Sequence, residues 1–181
     1  MPGNIQDKCG KRNYIIRRSV GVAAQHLEEV QRNAAKIVRA AIAIEHRLEL
    51  LIVHRVFGGE TGSRLHFFTD HILGSDWFTF SAKRRLAVQI VDEKGLLAGP
   101  QKNRFDKVLS EVMSLRNAFA HGSVVEKGDG TYLAFFQSAP REVHLTDEYW
   151  AGVEATFGEA FELCLAVETK LGLVRESQPP S

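Results

Sequence analysis

One apolar stripe limits how this chain can fold more than any other feature. Ile37, Ala41, Ile44, Leu48 and Leu51 recur at three- and four-residue steps. That spacing aligns side chains along one face of an α-helix, whereas a half-buried strand repeats every second residue. The helical reading runs from about Val20 to Phe57 and stops at Gly58–Ser63, GGETGS, a loop by its glycines. A helix this long with one apolar face needs other apolar faces to pack against.

The rest of the chain provides them. RLHFFTDHILG reads as a short helix ending at Gly74. Ser81 is an N-cap residue type and precedes AKRRLAVQIVDEKG, a helix that closes at Gly95. Gly99-Pro100 opens the next helix, since proline is tolerated in a first turn. Phe105, Val108, Leu109, Val112, Leu115 and Phe119 form its stripe, and it stops at Gly122. The period then changes. β-Branched and aromatic runs flank Lys127-Gly128-Asp129-Gly130, which predicts a β-hairpin, with REVHLT as a third short strand. Thr146 caps a final helix whose stripe is Trp150, Val153, Phe157, Ala160, Cys164, Val167 and Leu171.

The expected fold class is therefore all-α: a bundle of four or five helices with a small β-hairpin before the last. Residues 20–172 form the helical domain, residues 1–19 a basic, partly flexible start, and residues 173–181 a disordered tail. At 181 residues and 44% hydrophobic content, one compact domain is expected. Lys+Arg 23 against Asp+Glu 22 leaves no global basic signature, so any nucleic-acid site has to be a local patch. Cys9 and Cys164 lack C-x-x-C spacing, which argues against a disulfide scaffold or zinc module and suits a reducing cytosol. MPGNIQDKCGKRNY has no apolar core of a signal peptide. Glu45, His46, Arg47 and Glu49 interrupt AAIAIEHRLELLIV, so no membrane span is expected there. A cytoplasmic protein is the resulting expectation.

Within this frame one segment stands out, MSLRNAFAHG, at the end of the fourth helical segment. On a helical wheel Arg116 falls among Leu109, Val112 and Phe119 on the apolar side. Asn117 and His121 share a face at i, i+4, while His121 lies roughly 140° around from Arg116. A histidine in the last turn sits at the negative end of the helix dipole. The structural explanation is that Arg116 pairs with Glu45 or Glu49 and that His121 only caps the helix. The functional explanation is that Arg116 and His121 serve phosphate chemistry, with Glu45 holding the arginine in aim.

RNAFAHG resembles the R-x4–6-H signature of the HEPN family, with Arg116, four residues, then His121. Asn117 matches the polar residue that follows the arginine there. The long helix with AAIAIEHRLELLI, the FSAK segment before the third helix and the motif at the end of the fourth also look like bacterial members. The likeness covers roughly Arg32 to Leu171.

It implies a homodimeric, metal-independent endoribonuclease, or a relative that kept the fold and binds nucleotides, RNA or protein. Two motifs would meet across a two-fold axis. His121 would move protons, Arg116 would stabilise charge on the phosphoryl oxygens, and Asn117 would orient phosphate or the histidine. The resemblance implies a toxin or phage-defence effector, with an antitoxin or regulatory protein as a possible partner. No cofactor and no metal are expected.

Weaker constellations are present. Lys83, Arg84 and Arg85, and the start with Lys8, Lys11, Arg12, Arg17 and Arg18, could track an RNA backbone, though solvated charge is their default reading. His66, Asp70 and His71 put two potential metal ligands at i, i+4 with no further ligand beside them, and read as a solvated helix face. Trp77, Phe78 and Phe80 read as core anchors rather than a base-stacking platform.

Overall fold

The computed structural model describes the backbone of residues 9–174 and the side chains of residues 27–174. Residues 1–8 and the tail from 175 onward lie outside it, and with them Lys8 and most of the expected tail. The chain divides into two units, Met1–Lys36 and Ile37–Ser181. Helix α1, Cys9–Phe57, starts well before Val20, so Lys11, Arg12, Arg17 and Arg18 belong to a helical backbone. In the second unit follow α2 (Ser63–Phe68), a π-turn (Thr69–Leu73), α3 (Phe80–Glu93), α4 (Gly99–His121), strands β1 (Ser123–Lys127), β2 (Gly130–Gln137) and β3 (Ala139–His144), and α5 (Asp147–Lys170).

The second unit is mainly helical and builds one core from the expected stripes. Ile37, Ala41, Ile44, Leu48 and Leu51 are all buried, and they join Phe105, Val108, Leu109 and Val112 of α4. From α5, Val153, Phe157, Ala160, Cys164 and Val167 complete it. The end of α5 is tied by Lys170, whose ammonium donates to the Leu96 carbonyl at 2.6 Å.

Two expected caps fare differently. Thr146 caps α5 as expected, its hydroxyl accepting from the Tyr149 N–H at 3.2 Å. At α3 the cap is Thr79 rather than Ser81, with its Oγ1 accepting from the Ala82 N–H. Both residue types cap well, so local propensity could not choose between them. Burial of Phe80 in the first turn sets the earlier start.

The hairpin becomes a three-stranded antiparallel sheet in the order β1-β2-β3. Its third strand starts at Ala139, two residues before REVHLT, and pairs along β2 from Gln137↔Ala139 to Tyr132↔His144. Leu133 is the buried anchor on the helix-facing side. Gly130 is required by its backbone, at φ 148°, and the end of the His144 ring occupies the space where a Cβ would project. Among the described residues no helix is long and apolar enough to cross a membrane.

Candidate functional site

The last turn of α4 is held from two sides. Phe119 packs against Trp150 of α5, with ring centroids 5.5 Å apart. Gly122 then brings the backbone against β2: a Cβ there would lie 2.3 Å from the Ala118 carbonyl oxygen, 2.9 Å from Leu133 Cδ1 and 3.1 Å from the Ala134 carbonyl oxygen. Its φ of −80° suits any residue, so the glycine is there for space alone. The chain can turn from helix to strand at this point because nothing but hydrogen projects from it.

Arg116, Asn117 and His121 sit on that braced turn. Arg116 is half-buried, and its Nη1 donates to Oδ1 of Asn117 at 3.1 Å. Among the described residues no carboxylate lies within ion-pairing reach of Arg116. Asn117 and His121 are exposed. Arg116 therefore presents an unneutralised guanidinium, oriented by its neighbour, at the same helix end as an accessible imidazole. That arrangement can take an anion.

The expected pairing of Arg116 with Glu45 or Glu49 does not form. Lys83 takes both carboxylates, its Nζ lying 2.7 Å from Glu45 and 2.6 Å from Glu49. Lys83 is only 5% exposed, which removes it from any RNA-facing patch. An ammonium in this position satisfies two carboxylates that would otherwise repel each other beside the core. Burial works against its charge, but the two glutamates outweigh that and hold its pKa above the ordinary lysine value. Arg84 is turned toward Asp106, at 3.2 Å. Of the basic triplet, Arg85 alone is exposed.

Other expected features resolve in the same way. Among the described residues no cluster of metal-ligating side chains forms, and His71 rests against the Phe67 ring at 5.0 Å. Phe80 is buried and Phe78 packs on the core, but Trp77 is 65% exposed, so it is not the core anchor expected.

One feature escaped the sequence. A groove of about 620 Å³ opens between α4, α5 and the sheet, with Leu115, Ala118, Phe135, Val143 and Tyr149 among its lining. Burial raises the Tyr149 hydroxyl's pKa. The helical stripes of α4 and α5 carried a signal for these residues, but it was absorbed into the core pattern. Arg116, Asn117 and His121 do not line this groove. Comparison with family models, curated proteins and solved structures finds no match to this chain.

Proposed function

We propose that this protein is a metal-independent endoribonuclease of HEPN type, acting as a homodimer and serving as a toxin or phage-defence effector in the cytoplasm. The observation that carries this reading is Arg116: half-buried, aligned by Asn117, unpaired with any described carboxylate, and five residues before an exposed His121 at the same helix end. A purely structural arginine would be expected to hold a carboxylate.

In the proposed reaction the ribose 2′-hydroxyl attacks the adjacent phosphorus and the 5′-oxygen leaves. His121 transfers the proton, and Arg116 binds the phosphoryl oxygens as their charge grows. Asn117 fixes the guanidinium plane. Arg116 and His121 diverge around the helix, so a site using both is more easily assembled from the α4 ends of two copies.

The test is incubation of purified protein with total RNA in EDTA, wild type beside His121→Ala. Fragments ending in 2′,3′-cyclic phosphate and 5′-hydroxyl, made by wild type alone, are expected. Equal cleavage by both proteins would end this reading.

The groove favours a second reading, a non-catalytic module that binds a nucleotide, RNA or protein. Its volume of about 620 Å³ falls within the range of small-molecule sites, and it lies apart from the motif. The near-neutral charge of +1 agrees with a ligand other than RNA.

A further inference from the structure

The outer face of the sheet holds one residue that packing does not explain. On an antiparallel sheet with one face packed, the other face ordinarily carries polar side chains. Leu133, Phe135 and Gln137 of β2 point toward the helices, so Tyr132, Ala134 and Phe136 point away from them. Phe136 is 75% exposed, more than any other large apolar residue among the described ones. Tyr132 is closed off within the fold: His144 stacks on its ring at 4.5 Å, and the Lys127 ammonium lies 4.9 Å from the ring centroid. Among the described residues no ring and no cation covers Phe136 in this way.

Two contacts fix where Phe136 stands. Two residues before it, Ala134 lies against Gly122 at the end of α4. One residue after it, the Gln137 amide donates to the Ser114 hydroxyl at 3.3 Å. The end of β2 therefore runs back along α4 from Gly122 to Ser114. Ser114, Asn117, Ala118 and His121 share one side of that helix, within an arc of about 100°. Phe136 is thus held beside the turns that carry Asn117 and His121, with its ring in solvent.

The charge around it is positive. Arg116 holds no carboxylate among the described residues, and neither does Arg141, which is exposed and pairs with Phe135 across the sheet. Glu142, the acid nearest in register on the face of Phe136, is taken by Lys127. An open ring beside unneutralised guanidiniums suits a single nucleic-acid strand, with cations for its phosphates and a flat apolar face for a base. The apolar surface, one ring with Ala134 and Pro140 beside it, is too small by itself for a protein interface, which buries about 800 Å² on each partner.

We propose that Phe136 is the stacking platform for a base of single-stranded RNA whose phosphate is held at the end of α4 by Arg116. This rests on the reading of Arg116 and His121 as an RNA site and adds the residue that grips the base. Stacking tolerates many sequences, so unpaired RNA should bind, whereas a duplex, whose bases already stack on one another, should not.

The experiment titrates the full-length protein into a fluorescein-labelled single strand of about ten 2′-O-methyl nucleotides, which lacks the attacking hydroxyl and stays intact. Wild type is compared with Phe136→Ala, Phe136→Leu and Phe136→Tyr, with anisotropy reading affinity and light scattering the mass of each protein. Phe136→Ala and Phe136→Leu should each weaken binding about tenfold or more, and Phe136→Tyr, which keeps the ring, should bind as wild type does. Leucine separates stacking from simple apolar contact, since it keeps bulk without a flat face. Wild type that fails to bind, or binding unchanged in Phe136→Ala or restored by leucine, would overturn the proposal. So would loss of binding together with dissociation of a dimer, which would assign the ring to a contact between copies. Cleavage of ordinary RNA is scored separately. Cleavage with binding indifferent to Phe136 overturns this proposal alone, whereas binding that needs the ring without any cleavage upholds it and ends the ribonuclease reading.

Discussion

The Lys83 ammonium lies 2.6 Å from the Glu49 carboxylate and 2.7 Å from that of Glu45. This arrangement joins α3 to α1 at the edge of the core and leaves Arg116 without the acidic partner that its place on the wheel pointed to. A basic side chain from a run read as solvated thus joins two helices, and an arginine from the apolar side of a helix is left without a carboxylate among the described residues.

Replacing Lys83 with methionine keeps the bulk but strands two carboxylates side by side. We expect a loss of about 3 kcal/mol of stability, at the low end for a broken buried pair because both glutamates retain some solvent access. Urea denaturation of the variant beside Arg85→Ala, which should be nearly neutral, measures it.

The same contact sets a pH dependence. Lys83 has a pKa raised above its unfolded value, so its contribution is complete below the ordinary lysine range and is lost as pH rises through the raised value. Stability should therefore fall on the alkaline side above about pH 10.5, and that part of the decline should be absent in Lys83→Met. Denaturation midpoints across the alkaline range decide it.

Gly122→Ala should be more costly than its size implies. The new methyl would meet the Ala118 and Ala134 carbonyl oxygens and Leu133, and backbone atoms cannot move aside as a flexible side chain can. A loss of about 1–3 kcal/mol is expected, read as a lower midpoint of thermal unfolding.

His121→Ala and Arg116→Ala should separate chemistry from stability. His121 is exposed, so its loss should leave thermal unfolding unchanged while lowering RNA cleavage about 10²–10⁴-fold. Arg116→Ala should also abolish cleavage. Because Arg116 holds no described carboxylate, its removal strands no buried charge, and its destabilisation should stay below that of Lys83→Met. Differential scanning calorimetry beside the cleavage assay tests both.

Cys164 should be chemically silent in the folded protein. Burial, with Glu168 nearby, pushes its thiol up to about 12, so almost no thiolate exists at neutral pH. In a Cys9→Ser background, a thiol reagent should react with Cys164 only after denaturant is added. Rapid labelling of the native protein would contradict the packing of α5.

The period of the sequence was enough to determine the helices, because burying a stripe at three- and four-residue steps leaves little choice of backbone. Ile37 to Leu51, the α4 stripe and the α5 stripe from Val153 to Val167 could all be read in this way, as could the turn at Lys127–Gly130 that pairs β1 with β2. The position of His121 before Gly122 was legible too, since helix ends carry local signals. Which charges meet was not legible. Glu45, Lys83 and Arg116 are far apart in the chain, and their pairing depends on how α1, α3 and α4 pack. Periodicity assigns each residue a face but is silent on which face of another helix lies opposite. For the same reason the groove between α4, α5 and the sheet belongs to tertiary structure alone: it is the space left where three elements fail to close on one another.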